Sequence, residues 1–272
     1  MNIPLRYNMK ISNNAIINEI TAIVKYFHMW SLLGWYDIKQ RYRRSMIGPF
    51  WITISTGIMV ASIGLMFSTI FKSSVREFLP HFAVGQIIWL LLSAQLTDAC
   101  TMFVQSQSII KQVSLPLSVH VLRKLWYNII LFLHNFLIIV IVLIFAGNGF
   151  LWEYLLVIPA IILILILLFL LSMILGIICT RFRDITQIVA VFLQLIYFFT
   201  PIFWMKKSLA SKQAWITDFN PFFHIIELVR APLLGKTPDL YHWISLLIYI
   251  ALAAVITFFF IKRFRNRVAY WL

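Results

Sequence analysis

The chain has 272 residues, of which 62% are apolar and 12% are charged. Ordinary soluble domains are about 45–50% apolar and about 25% charged, so this composition excludes a soluble domain, and it is too apolar for intrinsic disorder. Lys and Arg outnumber Asp and Glu by 23 to 9. On a soluble protein this excess would indicate nucleic-acid binding, but in a membrane protein it is typical of loops that face anionic lipid headgroups. We therefore expect an all-α integral membrane protein with no nucleic-acid partner.

The pattern of charge-free segments predicts the number of spans. Asp, Glu, Lys and Arg are absent from six stretches of at least 20 residues, which are 49–71, 78–97, 125–146, 154–179, 185–205 and 240–261. A bilayer core of roughly 30 Å requires about 20 helical residues, because backbone groups in lipid must bond to one another. The sequence thus predicts six transmembrane helices. Pro201 lies inside the fifth stretch, where we expect a kink and not a break.

The distribution of positive charge predicts the orientation. With the N-terminus inside, 16 of the 23 Lys and Arg residues fall in inner segments and the other 7 in outer segments. Cytoplasmic loops carry the larger share of Lys and Arg, so both termini are predicted to be cytoplasmic. We expect one membrane domain over 1–272, composed of a cytoplasmic segment (1–48) and a six-span region (49–272).

The N-terminal segment contains an amphipathic stretch at 29–46, which predicts an interface helix lying along the membrane surface. One stripe of this helix would consist of Leu32, Trp35, Tyr36, Ile38, Tyr42 and Met46. Lys39 and Arg43 project within that apolar stripe, and Arg41 lies on the opposite side. Cations in these places either anchor the helix to lipid headgroups or bind an anionic ligand.

Two connecting segments are large enough to carry function. The inner connection 105–125 has Ser and Gln before Ile109 and Ile110 and has Pro116 after them, which predicts a short helix ended by proline. The outer segment 206–239 is rich in apolar residues, and beside lipid it should fold into two re-entrant half-helices hinged near Asn220–Pro221. The alternatives are an ordinary connector for the first segment and a peripheral amphipathic loop for the second.

Five ordered motifs resemble a known family. YDIKQRYRRSMIGPFW (36–51) is similar to the start of type-2 ATP-binding-cassette exporter permeases that move polysaccharides, whose pattern is an acidic residue followed by K-x-R-Y-x-x-S-x-[LI]-G-x-x-W. The family's later motifs resemble SIIKQVSLPLSV (108–119), RFRDI (181–185), TPIFW (200–204) and NPFFHIIELVR (220–230). The resemblance covers nearly the whole chain. It is closest to O-antigen exporter permeases, and capsule and teichoic-acid permeases share the architecture.

The resemblance implies a half-transporter in a bacterial inner membrane. Two copies would form a channel, a separate ATPase dimer would bind beneath it with ATP and Mg²⁺, and the substrate would be a glycan on undecaprenyl pyrophosphate. The short inner helix would then couple to the ATPase through Ile109, Ile110, Lys111, Val113 and Pro116. The pyrophosphate would need cations, for which Lys39, Arg41 and Arg43 are the candidates.

The residues predict no enzymatic centre and no bound cofactor in this chain. Gly235-Lys236-Thr237 is a fragment of a phosphate-binding loop, but the complete motif needs glycine where Arg230 stands. The six histidines are dispersed without metal-ligand spacing, and the two cysteines form no such pattern. We therefore expect ATP hydrolysis in a partner and no metal site. A membrane-embedded glycan-lipid enzyme is the alternative from a different class, and it would need a cluster of carboxylates or histidines.

Helical phase selects a wall that would face a polysaccharide. Sugars bind aromatic rings through their C–H faces and bind amides and hydroxyls through hydrogen bonds. Phe199 and Phe203 point away from the wall predicted on the fifth span. The predicted channel residues are Gln194, Tyr197, Thr200 and Trp204 on the fifth span, and Thr53, Thr56, Gly64, Phe67 and Phe71 on the first. The alternative is that the small and polar positions only pack helix against helix.

Overall fold

The computed structural model describes residues 14–48, 50–147, 151–206 and 215–272. The all-α prediction is confirmed over these ranges, in which no strand occurs. In chain order the elements are α1 (Asn14–Lys25), α2 (Phe27–Arg41), α3 (Phe50–Ile70), α4 (Val75–Gln105), α5 (Gln107–Gln112), α6 (Leu117–Ala146), a 3₁₀ helix (Trp152–Leu156), α7 (Val157–Arg181), α8 (Ile185–Phe199), α9 (Trp215–Asp218), α10 (Pro221–Leu233) and α11 (Leu240–Trp271).

Five candidate spans occur within the described residues. They are α3, α4, α6, the continuous segment Trp152–Arg181 that includes α7, and α11, each long and apolar enough to cross a membrane. They coincide with the first four and the last of the six charge-free stretches, because 20 or more consecutive apolar residues can only satisfy their backbone groups in lipid as a helix. The side of the membrane on which each terminus lies stays a prediction.

The fifth predicted span differs from the structure. The charge-free stretch runs over 185–205, but α8 has 15 residues and ends at Phe199. At 1.5 Å per residue this helix is about 22 Å long, short of the roughly 30 Å of a bilayer core. Thr200 has extended backbone angles (φ −90°, ψ 132°), as expected for the residue before a proline. Pro201 therefore breaks the helix instead of kinking it, and a sixth span is not confirmed.

Helix α4 lies at the centre of the chain. In its most apolar stretch of 18 residues, 61% of the residues are buried inside the chain, against 17 to 39% in the corresponding stretches of the other four candidate spans. It contacts α3, α6, α7, α8 and α10. A polar chain joins it to two of these helices, since Gln95 donates to Ser172 (2.9 Å) and accepts from Asn128 (2.8 Å). Such bonds between buried side chains fix which faces of the helices meet.

The N-terminal helices lie against α6. Helix α1 was not predicted from the sequence, and it is tied to α2 by a hydrogen bond from Trp30 Nε1 to the Ile23 carbonyl (3.0 Å). Helix α2 buries Trp30, Gly34 and Ile38, one residue per turn. A Cβ at Gly34 would lie 2.8 Å from the Arg123 carbonyl oxygen, so only glycine allows the two backbones to approach this closely.

A helix is present where the interface helix is predicted, with different limits, and its position along a membrane surface stays a prediction. Helix α2 runs from Phe27 to Arg41, so the last part of the predicted 29–46 helix lies in the turns that follow it. Tyr42 and Met46 consequently do not continue the predicted apolar stripe. Within the helix, Trp35 and Tyr36 are exposed while Ile38 is buried against α6, so the stripe divides between an outward side and a protein-facing side.

The outer segment contains the predicted pair of helices. α9 and α10 are separated by Phe219 and Asn220, close to the predicted hinge. The Asn220 side chain caps α10 by accepting from the Phe222 and Phe223 amides (3.0 and 3.3 Å), and Pro221 occupies the first helical position. Residues 207–214 of this segment lie outside the described ranges. Whether α9 and α10 re-enter a membrane stays a prediction.

Replacing Gly34 by alanine tests the contact between α2 and α6. The added methyl group would collide with backbone, so Gly34→Ala should lower the free energy of unfolding by about 1–3 kcal/mol. Gly57→Ala is the matched control, because a Cβ there meets only Ile138 atoms at 3.9 Å and alanine favours a helix. Thermal unfolding in detergent should show a lower midpoint for the first variant alone. Equal midpoints would contradict the close approach.

Candidate functional site

The described part of the chain includes two concave surfaces whose linings combine polar and aromatic side chains. The first, which we call the α2–α4–α6 cavity, has a volume of about 350 Å³. Its polar lining consists of Asp37, Gln40, Arg41, Gln105, Ser106, His120, Arg123, Lys124 and Tyr127. The second, which we call the α4–α8 groove, has a volume of about 370 Å³. It is lined by Gln86, Trp89, Leu90, Ser93, Thr97, Ala190, Leu193, Gln194, Tyr197 and Phe198.

Ionic and aromatic contacts hold the first cavity together. Arg123 donates from Nη2 and Nε to the two carboxylate oxygens of Asp37, at 2.5 and 2.7 Å. Arg41 donates to the Tyr127 hydroxyl, and this hydrogen bond raises the pKa of Arg41. Lys124 lies over the Tyr127 ring, 4.9 Å from its centroid. The cavity therefore holds three cations and one carboxylate, which is already bound to Arg123.

Among the three predicted headgroup cations, the structure places Arg41 alone in this cavity. Lys39 is exposed on α2 with its ammonium 6.0 Å from the centroids of the Trp35 and Tyr36 rings. Arg43 lies beyond the end of the helix and is exposed. The three candidates therefore do not share one cavity, because the helix ends at Arg41, and a headgroup role for Lys39 and Arg43 stays a prediction.

Sequence reasoning missed the cations on α6. Arg123 and Lys124 were counted only as positive charges of an inner connection. His120, Arg123, Lys124 and Tyr127 recur at intervals of three or four residues, which places them on one side of a helix. That spacing would have found the α6 wall, but its meeting with α2 joins residues far apart in the sequence.

The α4–α8 groove contains two of the predicted channel residues. Tyr197 donates its hydroxyl hydrogen to Gln86 Oε1 (2.7 Å) and packs on Trp89, with ring centroids 5.4 Å apart. Gln194 is exposed along the same groove. The wall supplied by α4 was missed, although Gln86, Trp89, Ser93 and Thr97 recur at helical spacing. Amides, hydroxyls and aromatic rings therefore face the groove from two helices.

Two predicted channel residues of the fifth span do not line this groove. Thr200 is buried, where its hydroxyl accepts from Asn220 Nδ2 (3.0 Å) and so links the end of α8 to the cap of α10. The Trp204 indole donates to the Phe198 carbonyl (3.2 Å). Phe203 packs on Tyr197, with ring centroids 5.8 Å apart. The prediction that Thr200 and Trp204 share a helix face with Tyr197 was wrong, because α8 ends at Phe199, before Pro201.

The predicted wall on the first span also lies elsewhere. Thr56 and Gly64 are buried on the side of α3 that packs within the chain, and a Cβ at Gly64 would collide with Leu79 Cδ1. This contact is the helix packing that small residues permit in membranes. The rings of Phe67 and Phe71 contact each other at a tilt of 30°, with their centroids 5.7 Å apart. None of these four residues lines either concave surface, and neither does Thr53.

The predicted coupling segment forms the expected short helix. α5 covers Gln107–Gln112, and Pro116 precedes the first residue of α6. Lys111 and Val113 are exposed, whereas Ile110 packs against residues of α11 and Ile109 is partly exposed. The exposed side of this segment is free to meet another protein, and its role in coupling stays a prediction.

A buried carboxylate fixes the start of α6 directly after this segment. Glu19 of α1 is 3% exposed and accepts from the backbone amides of Leu117 (3.2 Å) and Ser118 (2.8 Å). Arg265 of α11 pairs with the same carboxylate, with 2.8 Å between Nε and Oε1. A negative charge at a helix N-terminus is stabilising, so Glu19 joins α1, α6 and α11 at one point. No sequence motif indicated this contact.

Two histidines that look dispersed in the sequence meet where α10 packs on the start of α11. The Nδ1 atoms of His224 and His242 are 2.8 Å apart, and His224 Nε2 is 2.9 Å from the Asp218 carbonyl oxygen. A hydrogen bond from Lys206 lowers the pKa of Asp218. Over the described ranges, no group of three or more His, Cys, Asp or Glu residues could hold a metal ion.

Comparison with known proteins gives this arrangement of helices its class. Residues 29–234 match the ABC-2 type transporter family. This match covers most of the 272 residues, and the chain belongs to the ABC-2 type transporter family.

Curated relatives are named as export permeases. Two Klebsiella pneumoniae proteins, each named O-antigen export system permease protein RfbA, are 28% and 27% identical to this chain. Each alignment covers 78% of this chain and 82% of the relative. A Myxococcus xanthus protein of the same name is 22% identical, over 72% of this chain and 76% of its own length.

Removing the Glu19 carboxylate tests the junction behind α5. Glu19→Ala leaves two backbone amides and Arg265 without their partner, so the free energy of unfolding should fall by about 2–4 kcal/mol. Asp184→Ala is the control, because Asp184 is exposed and makes no side-chain cap hydrogen bond to α8. The midpoint of thermal unfolding in detergent should fall by several degrees for Glu19→Ala only. Similar midpoints for the two variants would contradict a buried junction.

Proposed function

We propose that this chain is the permease subunit of an ATP-driven exporter that moves a lipid-linked polysaccharide across a bacterial inner membrane. Family membership and the names of the relatives support export by a membrane component. The observation that carries the substrate class is the α4–α8 groove, whose lining combines amides, hydroxyls and aromatic rings. The substrate we propose is an O-antigen-like glycan on undecaprenyl pyrophosphate.

The chemistry of the groove suits a sliding glycan. Tyr197 offers a ring for the C–H groups of sugars, and Gln194 and Ser93 offer hydrogen bonds. Gln86 and Trp89 are buried and contact Tyr197. Each contact is weak and does not depend on which sugar occupies it. Proteins that bind single-stranded nucleic acid on stacked aromatic rings tolerate different bases in the same way. A polymer can therefore move along such a wall without one tight binding site stopping it.

The proposal needs a separate source of energy. Gly235-Lys236-Thr237 follows α10 in the outer segment, and Arg230, which stands where the phosphate-loop motif requires glycine, is buried inside the chain. We propose that two copies of this chain assemble with two copies of an ATP-binding-cassette ATPase, which would hold ATP and Mg²⁺. The exposed part of α5 and the residues after it would be the docking point.

Channel residues can be separated from their neighbours by mutation. Gln194→Leu removes an exposed amide of the groove, and Tyr197→Ala removes a ring and its hydroxyl. Each should reduce glycan export at least about fivefold, the effect expected from losing one stacking or hydrogen-bonding contact at several points along a polymer. Export is measured as surface glycan per copy of the permease, with membrane insertion and ATPase copurification verified for every variant.

Phe199→Leu supplies the matched control for this series. Phe199 is adjacent on α8, is 55% exposed and does not line the groove, so its truncation should leave export within about twofold of wild type. Phe203 is unsuitable as a control because it packs on Tyr197. Equal losses from Phe199→Leu and Gln194→Leu would show that the groove is not the path of the glycan.

The docking point for the ATPase is tested at α5. Lys111→Glu combined with Val113→Asp places two negative charges on an exposed surface, so folding should persist while copurification of the ATPase falls at least about tenfold. Lys236→Glu makes the same charge reversal on an exposed residue of the outer segment and should copurify normally. Recovery of the ATPase with the double variant at wild-type yield would refute this role of α5.

A further inference from the structure

We propose that the α2–α4–α6 cavity is a binding site for a phosphate or pyrophosphate group carried on a lipid. The proposal rests on the proposed function, because the exporter's substrate would carry such a group. Arg41 of α2 would bind the phosphate group together with three residues of α6, which are His120, Arg123 and Lys124.

The charges of the cavity favour an anion. Arg41, Arg123 and Lys124 contribute three positive charges to the lining, and Asp37 contributes one negative charge, a formal sum of +2. Asp37 occupies Nε and Nη2 of Arg123, which leaves Nη1 outside that pair. Arg41 bonds to a neutral hydroxyl, and among the described residues no carboxylate lies within ion-pair distance of it. Arginine is the side chain best shaped for two-point contact with phosphate oxygens.

The lysine on α6 is also only weakly paired. Lys124 Nζ lies 3.7 Å from Asp98 Oδ1, beyond ordinary hydrogen-bond distance. Asp98 accepts a hydrogen bond from Asn128 Nδ2 (3.0 Å), so its carboxylate has a second partner inside the chain. An incoming phosphate oxygen could therefore bind the ammonium without breaking a strong ion pair.

The second, independent observation is a buried histidine with unused nitrogens. His120 lines the cavity and is 2% exposed, yet neither Nδ1 nor Nε2 has a hydrogen-bond partner among the described residues. Its ring lies edge-on to Phe103, an environment that an apolar ring would fill equally well. Buried polar groups are almost always bonded, because leaving them unpaired destabilises the fold. A ligand that accepts a hydrogen bond from this ring accounts for its presence.

The size of the cavity agrees with a headgroup. A volume of about 350 Å³ lies at the lower end of the range for small-molecule sites, roughly 300–1,000 Å³. It is large enough for the phosphate end of a lipid. The site differs from the α4–α8 groove in chemistry, because charged side chains line it where uncharged polar and aromatic side chains line the groove, so one molecule of substrate could use the two surfaces for different parts.

Direct binding measurements test the site. The full chain, purified with its ATPase, is titrated with farnesyl pyrophosphate, a short isoprenoid pyrophosphate. Arg41→Gln and Lys124→Gln should each weaken binding about tenfold, the loss expected for one charge-assisted hydrogen bond. Arg44→Gln is the matched control, since Arg44 is exposed in the turn after α2 and does not line the cavity, and its affinity should stay within about twofold of wild type.

His120→Phe distinguishes a ligand contact from a structural role. Phenylalanine keeps the ring and removes both unpaired nitrogens, so the melting temperature without ligand should stay equal or rise. Affinity for farnesyl pyrophosphate should nevertheless fall about tenfold. Unchanged affinity in His120→Phe, or an equal loss in Arg44→Gln and Arg41→Gln, would overturn the proposal.

Competition identifies the source of the phosphate group. Farnesyl pyrophosphate that resists displacement by phosphatidylglycerol in nanodiscs would assign the site to the lipid-linked substrate. Displacement at matched concentrations would assign it to ordinary phospholipid headgroups, with the site itself upheld. If the variants bind normally while the wild-type chain exports glycan, the site is wrong and the proposed function stands. Binding by a chain that cannot restore export would uphold the site and reject the function.

Discussion

The contact between α2 and α6 is the constraint on which the functional surfaces depend. Gly34 brings the backbone of α2 against the Arg123 carbonyl, and the paired oxygens of Asp37 hold the Arg123 side chain. Both charged side chains are about one-fifth exposed, so the pair is partly shielded from water and the loss of one partner would leave an uncompensated charge. Without this contact the α2–α4–α6 cavity would have no wall on the side of α2.

Helix α6 then connects this cavity to the rest of the chain. Its first turn follows α5 and is fixed by Glu19, which also binds α11 through Arg265. Farther along, Asn128 joins α6 to the polar chain through Gln95 of α4. A displacement of α5 would therefore move α1, α4 and α11 as well as α6, because these hydrogen bonds join the three helices to α6. These bonds connect the start of α6, beside the proposed ATPase docking point, to α1, α4 and α11.

The sequence predicted what depends on local composition and missed what depends on distant contacts. Five spans were predictable because a long charge-free run can satisfy its backbone hydrogen bonds in lipid only as a helix. The hinge at Asn220 was predictable from a helix-capping residue followed by proline. The predicted length of the fifth span was wrong because Pro201 was interpreted as a kink. The helix face predicted for Thr200 and Trp204 was wrong for the same reason. Gly64 was predicted to line a channel, but it packs against Leu79, because small residues permit close helix packing as well as channel walls. Arg123 and Glu19 were missed because each of their partners lies at least 86 residues away in the sequence.

Deletion of the gene in its source organism tests the central claim that this chain exports a lipid-linked glycan. The account predicts that surface glycan disappears while the polymer accumulates on its lipid carrier inside the cell, and that the wild-type chain restores both. Lipid-linked polymer is measured in membrane extracts and surface glycan on intact cells. Loss of the polymer itself would indicate an enzyme of glycan synthesis, and unchanged surface glycan would indicate another cargo. Either result would contradict the account.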